Sequence, residues 1–158
     1  MRNSAGSNTI HLDGESGDII LSNADFAEDF EVVDPGTAEP GTVMVLDEGG
    51  RLVPSARAYD RRVAGVVTGA GSYRPGIIMD RHEHRPDRRP IAMVGKVFCR
   101  VDADLGGVEV EDLLTTAPTP GHAMRVGDPV RAMGSVIGKA LAPLKSGREL
   151  VPVLISLL

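Results

Sequence analysis

Short clusters of Val, Ile and Leu, separated by Gly, Pro, Asp and Asn, recur along the whole chain. Strands joined by turns produce this spacing, because strand side chains alternate between faces while Gly, Pro and Asx residues supply the turn geometries. The first clusters are Ile10 with Leu12 and Ile19 to Leu21, separated by Asp13-Gly14 and Gly17-Asp18. They predict a strand–turn–strand ribbon, which buries too little to be stable alone and must lean on the body or on partner chains. Residues 24–33 are open to two readings. Phe26, Phe30 and Val33 fall at i, i+4 and i+7, the spacing of a helix face, with Asn23 or Asp25 as cap. The reading preferred here is a short turn running into a strand that ends at Val33 and is closed by Asp34-Pro35-Gly36.

Beyond residue 40 the pattern repeats itself. Strands are predicted over 42–46, 51–54 and 63–67, and again over 113–116, 123–126 and 136–141. Each set ends in a strand containing V-x-G, and a polar or weakly helical link precedes it. Gly65 follows Gly41 by 24 residues, and Gly138 follows Asp112 by 26. One repeat occurring twice predicts a pseudo-two-fold barrel or sandwich rather than a solenoid. Between the halves lies the longest predicted strand, residues 91–101. Its odd positions from Ile91 to Val101 are apolar or small and include Cys99, while Lys96 and Arg100 mark the other face. The last run, residues 150–158, is apolar on both faces, which predicts a central strand or one covered by a partner. Pro152 within it lacks a ladder donor, so an edge or bulged position is expected.

These elements place the chain in the all-β class: a compact barrel or sandwich with an internal pseudo-two-fold repeat, preceded by a short β leader. A flexible N-terminus and the ribbon occupy residues 1–21, and one β-rich domain occupies residues 22–158. Composition agrees, with 19 Gly and 11 Pro supplying turns. The absence of Trp, with only Tyr59 and Tyr73 for stacking, argues against a glycan-binding face.

Charge is segregated. Residues 3–50 hold eleven of the 22 acids and no Lys or Arg, whereas residues 51–100 hold most of the basic side chains. A chain without basic excess is not expected to bind nucleic acid. Opposed signs predict instead that acidic and basic regions face each other, within one subunit or between subunits. The lone cysteine cannot form an intrachain disulfide and reads as a small buried hydrophobe. No apolar run approaches the ~18 residues of a membrane helix, and no secretory signal is visible, so synthesis in the cytoplasm is expected and no membrane partner.

Motifs for phosphate loops, nucleophile elbows and paired-cysteine metal sites are missing from the sequence, and no cofactor is expected. The turn DGESGD offers Asp13, Glu15 and Asp18 to a calcium ion but lacks the ligand count of a calcium loop. His82 and His84 would share a face of a strand, yet their arginine-rich, proline-broken surroundings read as a solvated loop rather than a metal site. The one constellation suited to catalysis is the acidic stretch 22–41. Within it Asp25 and Glu28, three residues apart, would share a proton on a turn and so divide into an acid and a base. A solvated acidic edge is the plainer reading of the same residues.

The ordered motifs NADFAEDFE, PGTVMVLD, AYDRRVAGVV, EDLLTT, TPGHAM and VIGKAL resemble the C-terminal domain of phage tail-spike and preneck-appendage proteins, over about residues 22–158. The leader IHLDGESGDIIL is similar to the short β repeats of the shafts that precede such domains. The resemblance implies a β-rich homotrimer, acting in a phage-tail-like or fibre assembly, with incorporation in a virion or tail-like particle. It also implies an intramolecular chaperone that cuts itself from its shaft, with Asp25 and Glu28 as candidate catalytic residues and the cut within residues 22–25. Because only about two dozen residues precede the motif, a structural capping role is the leading expectation and self-cleavage the alternative.

Overall fold

The computed structural model describes residues 1–82 and 84–157. The chain opens with a ribbon, β1 (Ile10–Leu12) paired antiparallel with β2 (Ile19–Leu21). Residues 1–9 fold back on it, with the amide of Thr9 donating to Met1 and an Arg2–Asn8 bridge. The predicted ribbon is present. The body is all-β: β3 (Asp25–Glu31), β4 (Val43–Leu46), β5 (Leu52–Pro54), β6 (Val63–Val67), β7 (Pro75–Met79), β8 (Arg88–Asp102), β9 (Leu113–Thr116), β10 (Ala123–Arg125), β11 (Val136–Ala140) and β12 (Arg148–Ser156). A single 3-10 turn at Ala103–Leu105 and the short α1 (Pro129–Ala132), capped by the Asp128 carboxylate, complete it.

The predicted repeat is real and topological. In the second half β8, β12, β11, β9 and β10 form a closed five-stranded barrel, sealed by a parallel bridge from Ala123 to Val101. In the first half β3, β8, β6, β4 and β5 follow each other in the same way, and a lone parallel bridge from Val32 to Leu52 joins β5 back to the end of β3. Each half thus has a three-stranded antiparallel unit with its first strand in the middle, β5-β4-β6 and β10-β9-β11. The 15-residue β8 serves both halves: residues up to Gly95 pair with β3, and residues from Val94 onward pair with β12.

Two apolar clusters follow. One, around Met44, Leu52, Val67 and Ile91, fills the first ring. The other, around Val97, Cys99, Leu114, Ile137 and Val153, fills the second and extends to Val43 and Val66 of the first. Cys99 is buried in the latter, as expected, and burial pushes its thiol up to about 12, so it stays protonated and inert.

Two expectations are corrected, and one strand was not foreseen. Residues 25–31 are strand throughout, not turn then strand, and the helical spacing of Phe26, Phe30 and Val33 has no helix behind it. Strand β7, which no alternation announces, pairs parallel with β3. Finally, β12 is a central strand with β8 and β11 on its two sides, not an edge. Pro152 is tolerated because it sits where the β11 ladder stops: the Leu141 amide donates to its carbonyl, and no return bond is needed. Of the terminal apolar run, Leu158 lies outside the described residues.

Candidate functional site

Strand β3 carries the acidic stretch into the body between β7 and β8. Its burial alternates, with Asp25, Ala27 and Asp29 inside and Phe26 and Glu28 on the other face. A strand puts residues i and i+3 on opposite faces. Asp25 and Glu28 therefore do not face each other, and the proton-sharing turn expected of them is not formed.

Asp25 stands at the junction where leader becomes body. The Ala24 amide donates to the Arg74 carbonyl and the Asn23 side-chain amide to the Pro75 carbonyl, which fixes the chain just ahead of it. Gly95, directly opposite Asp25 in β8, lets the two backbones approach: a Cβ there would stand 2.7 Å from the Ala24 carbonyl oxygen. Asp25 is only 4% exposed. One carboxyl oxygen accepts from the Thr68 hydroxyl at 2.6 Å, and the other has no hydrogen-bond partner among the described residues. Burial raises its pKa above the usual carboxylate range, against the opposing pull of Thr68.

The remaining acids of the stretch meet the basic segment that follows them. Glu31 pairs with Arg85 at 3.2 Å, and Glu39 pairs with Arg100. Asp29, fully inside, has Arg81 and Arg88 each at 3.7 Å, and Arg88 also holds Asp80 at 2.5 Å. The segregated charges of the sequence therefore face each other within one chain, and three of the six carboxylates of the stretch, Asp29, Glu31 and Glu39, are held in ion pairs. Asp34 closes its turn by accepting from the Gly36 amide. Elsewhere Arg62 clasps Asp60 at 2.9 and 2.6 Å and holds its carboxyl down to about 2, which pins the link before β6.

His82 contacts Asp80 at 3.0 Å, and its neighbour Glu83 lies outside the described residues. Among the described residues no group of three His, Cys, Asp or Glu is arranged to hold a metal. In the DGESGD turn the Asp13 carboxylate is engaged by the amides of Glu15 and Ser16. Two open clefts exist, about 270 Å³ beside Arg100, His122 and Arg148 and about 380 Å³ beside the loop from Arg57 to Arg62. Neither is lined by Asp25 or Glu28. Sequence reasoning missed Thr68 as the partner of Asp25; it lies 43 residues away, and no local signal could have joined them. Among the described residues no helix is long and apolar enough to cross a membrane.

No family model matches the chain, and no curated protein matches it. Solved structures do share its architecture. The pre-mature bacteriophage phi29 gene product 12 matches over 94% of this chain, with a TM-score of 0.58 and 15% identity. The fold is similar to that of a phage protein. The C-terminal fragment of the same phi29 gene product matches over 84% of this chain and 100% of its own length, with a TM-score of 0.52 and 14% identity. This chain spans about a quarter (24%) of the pre-mature phi29 protein. At such identities the likeness carries the fold, and it supports the resemblance to phage appendage C-terminal domains at that level.

Proposed function

We propose that this chain is the oligomerising structural module of a phage-tail-like or fibre assembly, a chaperone-like β domain that caps or nucleates the fibre as a homotrimer. The observation that carries this reading is agreement in fold, along 94% of the chain, with a bacteriophage protein. Two features of the chain accord with it. Asp29, Glu31 and Glu39 of its acidic stretch are spent on internal ion pairs, and its N-terminal ribbon presents apolar side chains to solvent. Native mass spectrometry and sedimentation of the purified chain test the reading. A trimer is expected; a stable monomer at micromolar concentration overturns it.

A second reading, self-cleavage within residues 22–25, is favoured by one observation: Asp25 is buried beside that segment with a raised pKa and an unbonded oxygen. Peptide hydrolysis needs a base to activate water, attack of that water on the carbonyl carbon, and a proton delivered to the departing nitrogen. A carboxyl whose protonated form is favoured by burial suits the last task. Glu28, on the opposite face of β3, is poorly placed to share it. The intact mass of protein incubated for days decides. A product starting within residues 22–25 that Asp25→Asn abolishes supports cleavage; a spectrum of residues 1–158 alone removes it.

A further inference from the structure

The leader ribbon has two unlike faces. Facing residues of an antiparallel pair lie on the same side, so Ile10 with Leu21 and Leu12 with Ile19 form one wholly aliphatic face. Its base is half-buried, Leu21 lying beside Gly76 of the body, while at the tip Leu12 is 65% and Ile19 69% exposed. A two-stranded ribbon with an open aliphatic face is not stable by itself in water. Just past that face stands a turn with Asp13, Glu15 and Asp18, none of which makes an ion pair among the described residues.

The body carries a surface of matching character. On the outer side of the second barrel, one row of cross-strand neighbours runs Lys96, Leu154, Lys139, Leu113 over four hydrogen-bonded strands. Leu154 and Leu113 are exposed, and Val94, 61% exposed, stands two residues along β8 from Lys96. Neither lysine makes an ion pair among the described residues, although the arginines around the acidic stretch do. Strands lie about 5 Å apart, so the row spans about 15 Å and can seat a ribbon two strands wide.

We infer that the leader ribbon of one copy docks on this β8–β12–β11–β9 face of a second copy, its aliphatic side against Val94, Leu154 and Leu113 and its acidic turn against Lys96 and Lys139. The inference rests on the oligomeric reading above and names its contact. Charge selects the occupant: two ribbons stacked on each other would bring six carboxylates together, whereas the lysine-bearing face attracts them. The contact joins two different surfaces, so it propagates from copy to copy and closes into a ring when the rotation allows, as a trimer would require.

The test uses the full chain in two ways. Lys96→Glu combined with Lys139→Glu should weaken assembly at least tenfold by sedimentation, with circular dichroism unchanged. Adding Asp13→Lys, Glu15→Lys and Asp18→Lys to that variant should restore it. Separately, a Leu12→Cys chain mixed with a Leu154→Cys chain should form a disulfide-linked dimer containing one of each, Cys99 being buried and silent. An oligomer untouched by the lysine reversal, or Leu12→Cys chains that crosslink only to each other, overturns this contact and leaves the oligomeric reading standing. A wild-type monomer overturns both.

Discussion

At the scale of single residues, the junction between leader and body turns on Asp25 and Thr68. Among the described residues the Thr68 hydroxyl is the one hydrogen-bond donor to this buried carboxyl. Thr68→Val should destabilise the fold by about 1–3 kcal/mol in urea unfolding, the cost of leaving a buried polar group unsatisfied. The pH dependence has a definite sign. The folded pKa of Asp25 is raised, so the native state binds this proton more tightly than the unfolded chain does. Its contribution to stability is complete below the unfolded carboxylate value and declines as pH rises towards the raised folded value. Asp25→Asn cannot titrate. The stability of that variant relative to the wild type should therefore climb as pH rises above about 4, the unfolded carboxylate value; a difference that is flat in pH would show that Asp25 is not the buried acid described. The sequence displayed the carboxylate cluster but not which member is buried. That choice depends on the phase of β3 and on Thr68, and both are set by strands distant in sequence.

At the scale of elements, the hairpins were legible because they are local: β4 with β5 and β9 with β10 are joined by short turns, and their alternation and turn residues point the same way. The misreadings concern strands whose neighbours are remote. β7 gains its ladder from β3, some fifty residues earlier, and Pro152 could be placed only once β11 was known to end beside it. The V-x-G strands were recognised as a repeat, and the structure supplies the reason for their glycines. A Cβ at Gly138 would stand 2.1 Å from the Leu154 carbonyl oxygen, and one at Gly65 2.5 Å from that of Ala92. Each glycine thus lets the third strand of its unit, β11 or β6, press against the strand that continues the ring, β12 or β8. Gly138→Ala and Gly65→Ala should each cost about 1–3 kcal/mol or more, as overpacked sites do. Gly14→Ala, on an open turn, should change stability by less than about 0.5 kcal/mol. Equal tolerance at all three positions would refute the close approach.

At the scale of the whole molecule, the two rings are not independent domains, because they share one strand. The first part of β8 pairs with β3 and β6, its last part with β12 and β10, and the cluster that fills the second ring includes Val43, Val66 and Ala92 of the first. Melting either ring would strip β8 of half its partners and open the core of the other to water. Each ring closes on one parallel bridge, Val32–Leu52 in the first and Ala123–Val101 in the second. Unfolding of the body should therefore be a single transition, with calorimetric and van't Hoff enthalpies equal, measured at a fixed concentration because the proposed assembly would make the midpoint concentration-dependent. Two resolved transitions, or a fragment of residues 96–158 that folds alone, would show that the repeat is a pair of domains and that β8 only links them. The leader ribbon stands outside this unit, with no extensive packing on the body. Its amides should exchange freely in any dissociated chain and gain protection only on assembly, whereas protection in an isolated monomer would mean that the ribbon is held by its own body.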